Sequence, residues 1–180
     1  MSMFPIASAT VGAGGASNIT FSSIPQNFTH LQLRIFGFTN RATYGLDVLL
    51  LRFNSDTGNN YATHALEGGG SIPSSNGDES QSRILTSNIG TTVSNFPGLI
   101  ICDILDYTNT NKYKTTRMIG GVDVNGTIAS VGGYVGINSG LWQNTNAINT
   151  IFLAPFSGTA FAQNSRFDLY GIQTSNATGA

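Results

Sequence analysis

The sequence predicts an all-β protein, an antiparallel β-sandwich, and three observations lead there. No helix-length window shows apolar residues spaced by three and four. Period-two runs rich in Val, Ile, Thr, Phe and Tyr recur along the chain, bounded by Gly, Asn, Asp, Ser and Pro. Glycine occurs 22 times in 180 residues, which suits turns far better than helices. Eight to ten short strands separated by turn signals in about 150 residues argue for a sandwich or barrel. The jelly roll fits that strand count best, because an immunoglobulin-like sandwich is smaller, about 100 residues.

Residues 1–17 come first. Positions 7–17 are Ala-, Ser-, Gly- and Thr-rich and read as a flexible N-terminal arm outside the core. One domain is expected over 18–173, with a flexible tail at 174–180. Strands are expected at 18–22, 30–37, 46–54, 61–67, 81–88, 98–107, 112–123, 128–137, 148–154 and 166–172. In the second, Leu31, Leu33 and Ile35 share one face, and Gln32 and Arg34 take the other. In the last, Phe167, Leu169 and Gly171 oppose Asp168 and Tyr170. The run from Gly98 is apolar on both faces until Asp103, the mark of a central strand covered on both sides. Residues 54–60 (NSDTGNN) read as a polar hairpin loop, with Gly58 or an Asn taking positive φ. Asn125-Gly126 is a second hairpin signal, and 68–77 (GGGSIPSSNG) reads as a long flexible loop.

Composition then narrows function. The chain has 8 Lys plus Arg and 9 Asp plus Glu, where a soluble domain has roughly a quarter of its residues charged. Asn, Ser, Thr and Gly replace the missing charge, since hydrophobic content is 40%. Such a neutral surface suits a protein packed against copies of itself or other subunits. Net charge of −1 gives no electrostatic footprint for nucleic acid or an anionic membrane. Cys102, the lone cysteine, lies in the apolar run Leu99-Ile100-Ile101-Cys102 and reads as a buried, inert thiol. The opening Met1-Ser2-Met3-Phe4-Pro5 lacks the basic and apolar regions of a secretory signal, which predicts folding in a cytoplasm.

No constellation points to catalysis, a cofactor or a metal. His30 and His64 have no Cys, Asp or Glu at ligand spacing. No nucleophile elbow exists, and Asp103 and Asp106, three apart on a strand, point to opposite faces. Asn54, Asp56 and Asn60 resemble alternating calcium ligands, but the terminal Glu of an EF-hand loop is missing; Asx-type hydrogen bonds explain them as well. Lys112 and Lys114 alternate as a solvated strand face would. Trp142, beside Gln143 and Asn144, has two readings: an exposed ring that stacks on a sugar while the Asn144 amide bonds its hydroxyls, or a core or interface plug.

Four stretches carry a family resemblance: 19–34 (ITFSSIPQNFTHLQLR), 52–61 (RFNSDTGNNY), 103–115 (DILDYTNTNKYKT) and 167–172 (FDLYGI). Together they resemble a group of tailed-bacteriophage virion structural proteins across most of 18–172. The resemblance implies location on the virion surface, no catalysis, and other virion subunits, including the major capsid protein, as partners. Two roles fit it. A head-decorating (cement) protein binds the shell, often as a homotrimer; a tail fibre or spike module, or a carbohydrate-binding module, binds host glycans. The chain has no coiled-coil heptads or repeat array with which to build a shaft, which favours decoration. On that reading Phe4, Pro5 and Ile6 of the arm order only when they meet a neighbouring subunit.

Overall fold

A computed structural model describes residues 2–70, 72–126 and 132–174. Among them there are twelve strands and no helix. The strands are β1 (Ser2–Thr10), β2 (Ile19–Phe21), β3 (His30–Thr39), β4 (Leu46–Phe53), β5 (Tyr61–Gly68), β6 (Pro73–Gln81), β7 (Ile84–Thr91), β8 (Gly98–Leu105), β9 (Lys114–Val122), β10 (Tyr134–Trp142), β11 (Ile151–Pro155) and β12 (Arg166–Gln173). The long layer runs β1-β12-β3-β8-β9-β10-β5-β6 and the short one β2-β11-β4-β7. Pairing is antiparallel except where Phe38–Thr39 of β3 meets Gly90–Thr91 of β7 in parallel and joins the layers.

Alternation builds the core between the layers. Leu31, Leu33 and Ile35 of β3, Ile100, Cys102 and Ile104 of β8, and Phe167 and Leu169 of β12 face inward. Leu49, Leu51 and Phe53 of β4, with Ile151 and Leu153 of β11, meet them from the short layer. Cys102 is buried, and its burial pushes the thiol far above its usual range, so it is inert.

Several expectations need correction. Residues 2–10, expected as a flexible arm, form β1, paired along its length with β12. Backbone pairing and a few side chains hold a segment whose composition carries no strand signal. Ile6 and Ala9 pack on the core, Ser8 donates to Asp168 (2.6 Å), and the Phe4 ring lies 5.8 Å from Phe28. Gly171 makes this possible: a Cβ there would lie 2.3 Å from the Phe28 ring. Pro5 sits at the register shift on this edge strand, where its missing N–H breaks no ladder.

The expected loop at 68–77 contains most of β6, an edge strand exposed along nearly its whole length. Residues 54–60 do not close a hairpin, since β4 pairs with β7 and β11 while β5 pairs with β10 and β6; the segment crosses between layers. Asn54 and Ser55 take its positive φ values, 51° and 57°. The expected strand at 128–137 falls partly outside the described residues, and β10 extends beyond it to Trp142. Residues 175–180 of the expected tail also lie outside the described residues.

Candidate functional site

Three regions hold the residues of interest: the outer face of the long layer and the two ends of the β5–β10 pair.

The registers give the outer face directly. One row crosses the layer as Arg34, Ile101, Ile119, Ile137 and Leu66. The next row runs Phe36, Leu99, Gly121, Val135 and Gly68. Phe36, Leu66, Leu99, Ile119, Val135 and Ile137 are each 48–58% exposed. A third row, Gln32, Asp103, Arg117, Ser139 and His64, turns polar and edges the patch. β8 is therefore central, as its two-sided apolar run predicts, but nothing among the described residues covers its outer side.

At one end of β5–β10, Trp142 pairs with Tyr61. Trp142 is 1% exposed and lies 5.6 Å from the Phe53 ring and 6.1 Å from Tyr61, nearly parallel to the latter. Its indole N–H donates to Asp56 Oδ2 (2.8 Å), which also accepts from Asn60 Nδ2 (2.9 Å); Asp56 Oδ1 accepts from the Gly58 amide (2.8 Å). Burial alone would push the Asp56 carboxyl up, but these donors outweigh it and hold the group below the usual carboxylate range. Burial, with the Asp56 charge, pushes the Tyr61 phenol up to about 12. Its hydroxyl sits against the Phe53 and Asp56 backbone.

Trp142 is thus a core plug, and no face of it is open to a sugar; the stacking reading is overturned. Asn144 accepts from the Asn146 amide (2.9 Å) in the turn that follows β10. In the loop read as alternating calcium ligands, protein donors occupy both Asp56 oxygens and Asn54 Oδ1, while Asn60 Oδ1 is buried without a partner among the described residues. Asn54 Oδ1 accepts the Asn149 and Thr150 amides (2.9 and 3.1 Å). Lys114 is likewise not on a solvated face. It is fully buried, and its Nζ donates to the carbonyls of Asn109 (2.5 Å), Lys112 (3.1 Å) and Thr145 (2.9 Å). Desolvation lowers its pKa. Lys112 instead pairs with Asp106.

At the other end of the pair a cleft of about 240 Å³ opens between the layers. Glu67 on β5 fixes its geometry. Oε2 accepts from the Tyr134 hydroxyl (2.9 Å) and Asn76 (3.3 Å), and Oε1 accepts from Asn88 (3.4 Å). Burial first, and then the Glu67 carboxylate, push the Tyr134 phenol up, so it remains a donor at neutral pH. Asn138, 2% exposed, lines the same cleft, and its Oδ1 accepts no hydrogen bond among the described residues.

Sequence reasoning missed this cleft because its residues come from β4, β5, β6, β7 and β10 and form no motif. His30 and His64 are not brought together. His30 Nδ1 accepts the Asp106 amide (2.9 Å), and His64 lies on the outer face. Phe4 keeps 41% exposure beside Phe28, Ile6 packs inward, and Pro5 sits opposite Tyr170 at the edge.

No protein-family model matches the chain, and no curated protein does. Among solved structures, the chain is similar to exo-inulinase from Aspergillus awamori, with 12% identity and a TM-score of 0.44 over 94% of this chain. The chain spans 29% of that enzyme's length, and a likeness this distant carries no argument about function.

Proposed function

We propose that this chain is a non-enzymatic structural protein of a tailed-bacteriophage virion, a head-decorating protein that associates as a homotrimer on the outside of the capsid. The apolar outer face of the long layer carries the reading. Its half-exposed side chains (Phe36, Leu66, Leu99, Ile119, Val135 and Ile137) and the partly buried Ile101 form one contiguous patch. By their exposure they present roughly 600 Å² of apolar area, the upper end for a free monomer and close to the ~800 Å² that each partner buries in a standard interface.

A second copy is the occupant that fits. In a trimer each copy sets one part of this face against a different part of its neighbour's, a head-to-tail contact that closes after three copies. The polar edge carries both signs, Arg34 and Arg117 against Asp103, so copies related by rotation set opposite charges together. The near-neutral chain adds no net repulsion. The sequence resemblance supplies the virion setting and the capsid as the further partner.

Sedimentation of the purified chain tests the association. The wild type is expected to run as a trimer, and Ile119→Asp with Ile137→Asp as a folded monomer. A wild type that stays monomeric at every concentration overturns the reading. Immunogold labelling of particles of the encoding phage tests the place: gold on heads is expected, and gold on tail tips points to host attachment instead.

A further inference from the structure

We propose that the Glu67 cleft binds one ring of an uncharged, hydroxyl-rich ligand, a pyranose sugar. The site is separate from the apolar outer face and stands or falls independently of self-association.

The first argument is the unfilled valence at its wall. A buried amide oxygen without a donor costs about 1–3 kcal/mol. Asn138 Oδ1 is such an atom, on a side chain that lines the cleft. Gly136, two residues earlier on the same face, packs closely against Ser87. A Cβ there would lie 2.9 Å from Ser87 Oγ, 3.5 Å from Asn138 Oδ1 and 3.6 Å from Glu67 Cγ. Ser87 Oγ is also buried without a partner. Two orphaned oxygens thus lie near a carboxylate whose orientation three donors fix.

Chemistry then selects the ligand class. The lining contains no Lys or Arg, and its charged members, Glu67 and Asp78, are both acidic. Phosphates, nucleotides and acidic sugars are therefore disfavoured. Among the described residues no group of three or more His, Cys, Asp or Glu gathers here, so a divalent cation finds too few hard ligands. What remains is a neutral ligand that offers hydroxyl donors to Glu67, Asp78 and Asn138 Oδ1. Tyr44 and Tyr134 supply rings, and Leu46, Val48 and Leu85 supply apolar wall, for the C–H face of such a ring. A volume of about 240 Å³ admits one ring and not an oligosaccharide.

The test is a backbone NMR titration of the full chain with D-glucose, D-galactose and N-acetylglucosamine, each to about 10 mM, enough to saturate a site with a Kd of ~1 mM. At least one sugar is expected to shift amides at Thr63, Glu67, Asn88, Tyr134 and Asn138. Asn138→Leu is expected to weaken that binding tenfold or more while the fold persists; if that variant does not fold, Glu67→Gln is expected to weaken binding severalfold. The proposal is overturned if no sugar shifts these amides or if the shifts fall on the outer face. It is also overturned if calcium chloride alone moves the cleft amides where no sugar does, or if Asn138→Leu, or Glu67→Gln in its place, binds like the wild type.

Discussion

The two ends of the β5–β10 pair are built from the same materials and finished differently. At the Tyr61–Trp142 end, one carboxylate (Asp56), one aromatic N–H and a set of amides meet; both Asp56 oxygens have donors, and Asn60 Oδ1 is left without one among the described residues. At the Gly68–Tyr134 end, another carboxylate (Glu67) meets a phenol and amides, yet Asn138 Oδ1 and Ser87 Oγ go without. Each buried polar group that is satisfied locks two segments together. Each one left open costs stability and gains nothing from the fold itself. The contrast is between a joint closed around a fully paired carboxylate and a cleft with two open valences beside it.

Truncating the joint breaks the comparison most severely. Trp142→Ala removes a fully buried ring and the donor to Asp56, and is expected to cost about 3–5 kcal/mol in denaturant unfolding. A cost below about 1 kcal/mol would mean that the ring is not the plug described here.

Asp56→Asn has an intermediate effect, about 1–3 kcal/mol near neutral pH, because the new NH2 faces donors. Its pH dependence sharpens the point. The folded-state pKa of Asp56 is depressed, so its contribution is present above the unfolded pKa of 3.8 and is lost as pH falls through the folded value. The stability gap between wild type and variant should therefore narrow in acid. A gap that is constant down to low pH would show that the charge has no part in the joint.

The smallest effect, with the opposite sign, belongs to the cleft. Asn138→Leu replaces an orphaned amide by an apolar side chain of similar size, and thermal unfolding should shift by no more than about 1 kcal/mol, toward stability. A loss of several kcal/mol would place Asn138 among the structural residues.

These contrasts also explain what the sequence could disclose. Alternation in 30–37 and 166–172 placed β3 and β12, and the apolar run from Gly98 placed β8, because the face of each that meets the core leaves its mark in the sequence. β1 and β6 were illegible for the same reason. Nearly every side chain of SMFPIASAT and PSSNGDESQ is exposed or small, and main-chain bonds to β12 and β5 define these strands. Trp142 stands before the polar run 143–146 (QNTN), and its indole N–H finds its partner in Asp56, 86 positions away. The cleft draws on five strands, so no local spacing could reveal it. The outer face was half legible: the two-sided apolar run at 98–102 was plain, but its uncovered side appears only when Ile119, Ile137 and Leu66 line up beside it.

β6 has a consequence beyond its own pairing. It closes one flank of the long layer with Pro73, Asn76, Gly77, Asp78 and Glu79, residues that make poor templates for an incoming strand. Under the proposed self-association through the broad side, the rim has to refuse company, or ordered stacking would drift into endless ribbons. Proline and acidic charge on that rim would confine growth to closed, countable groups.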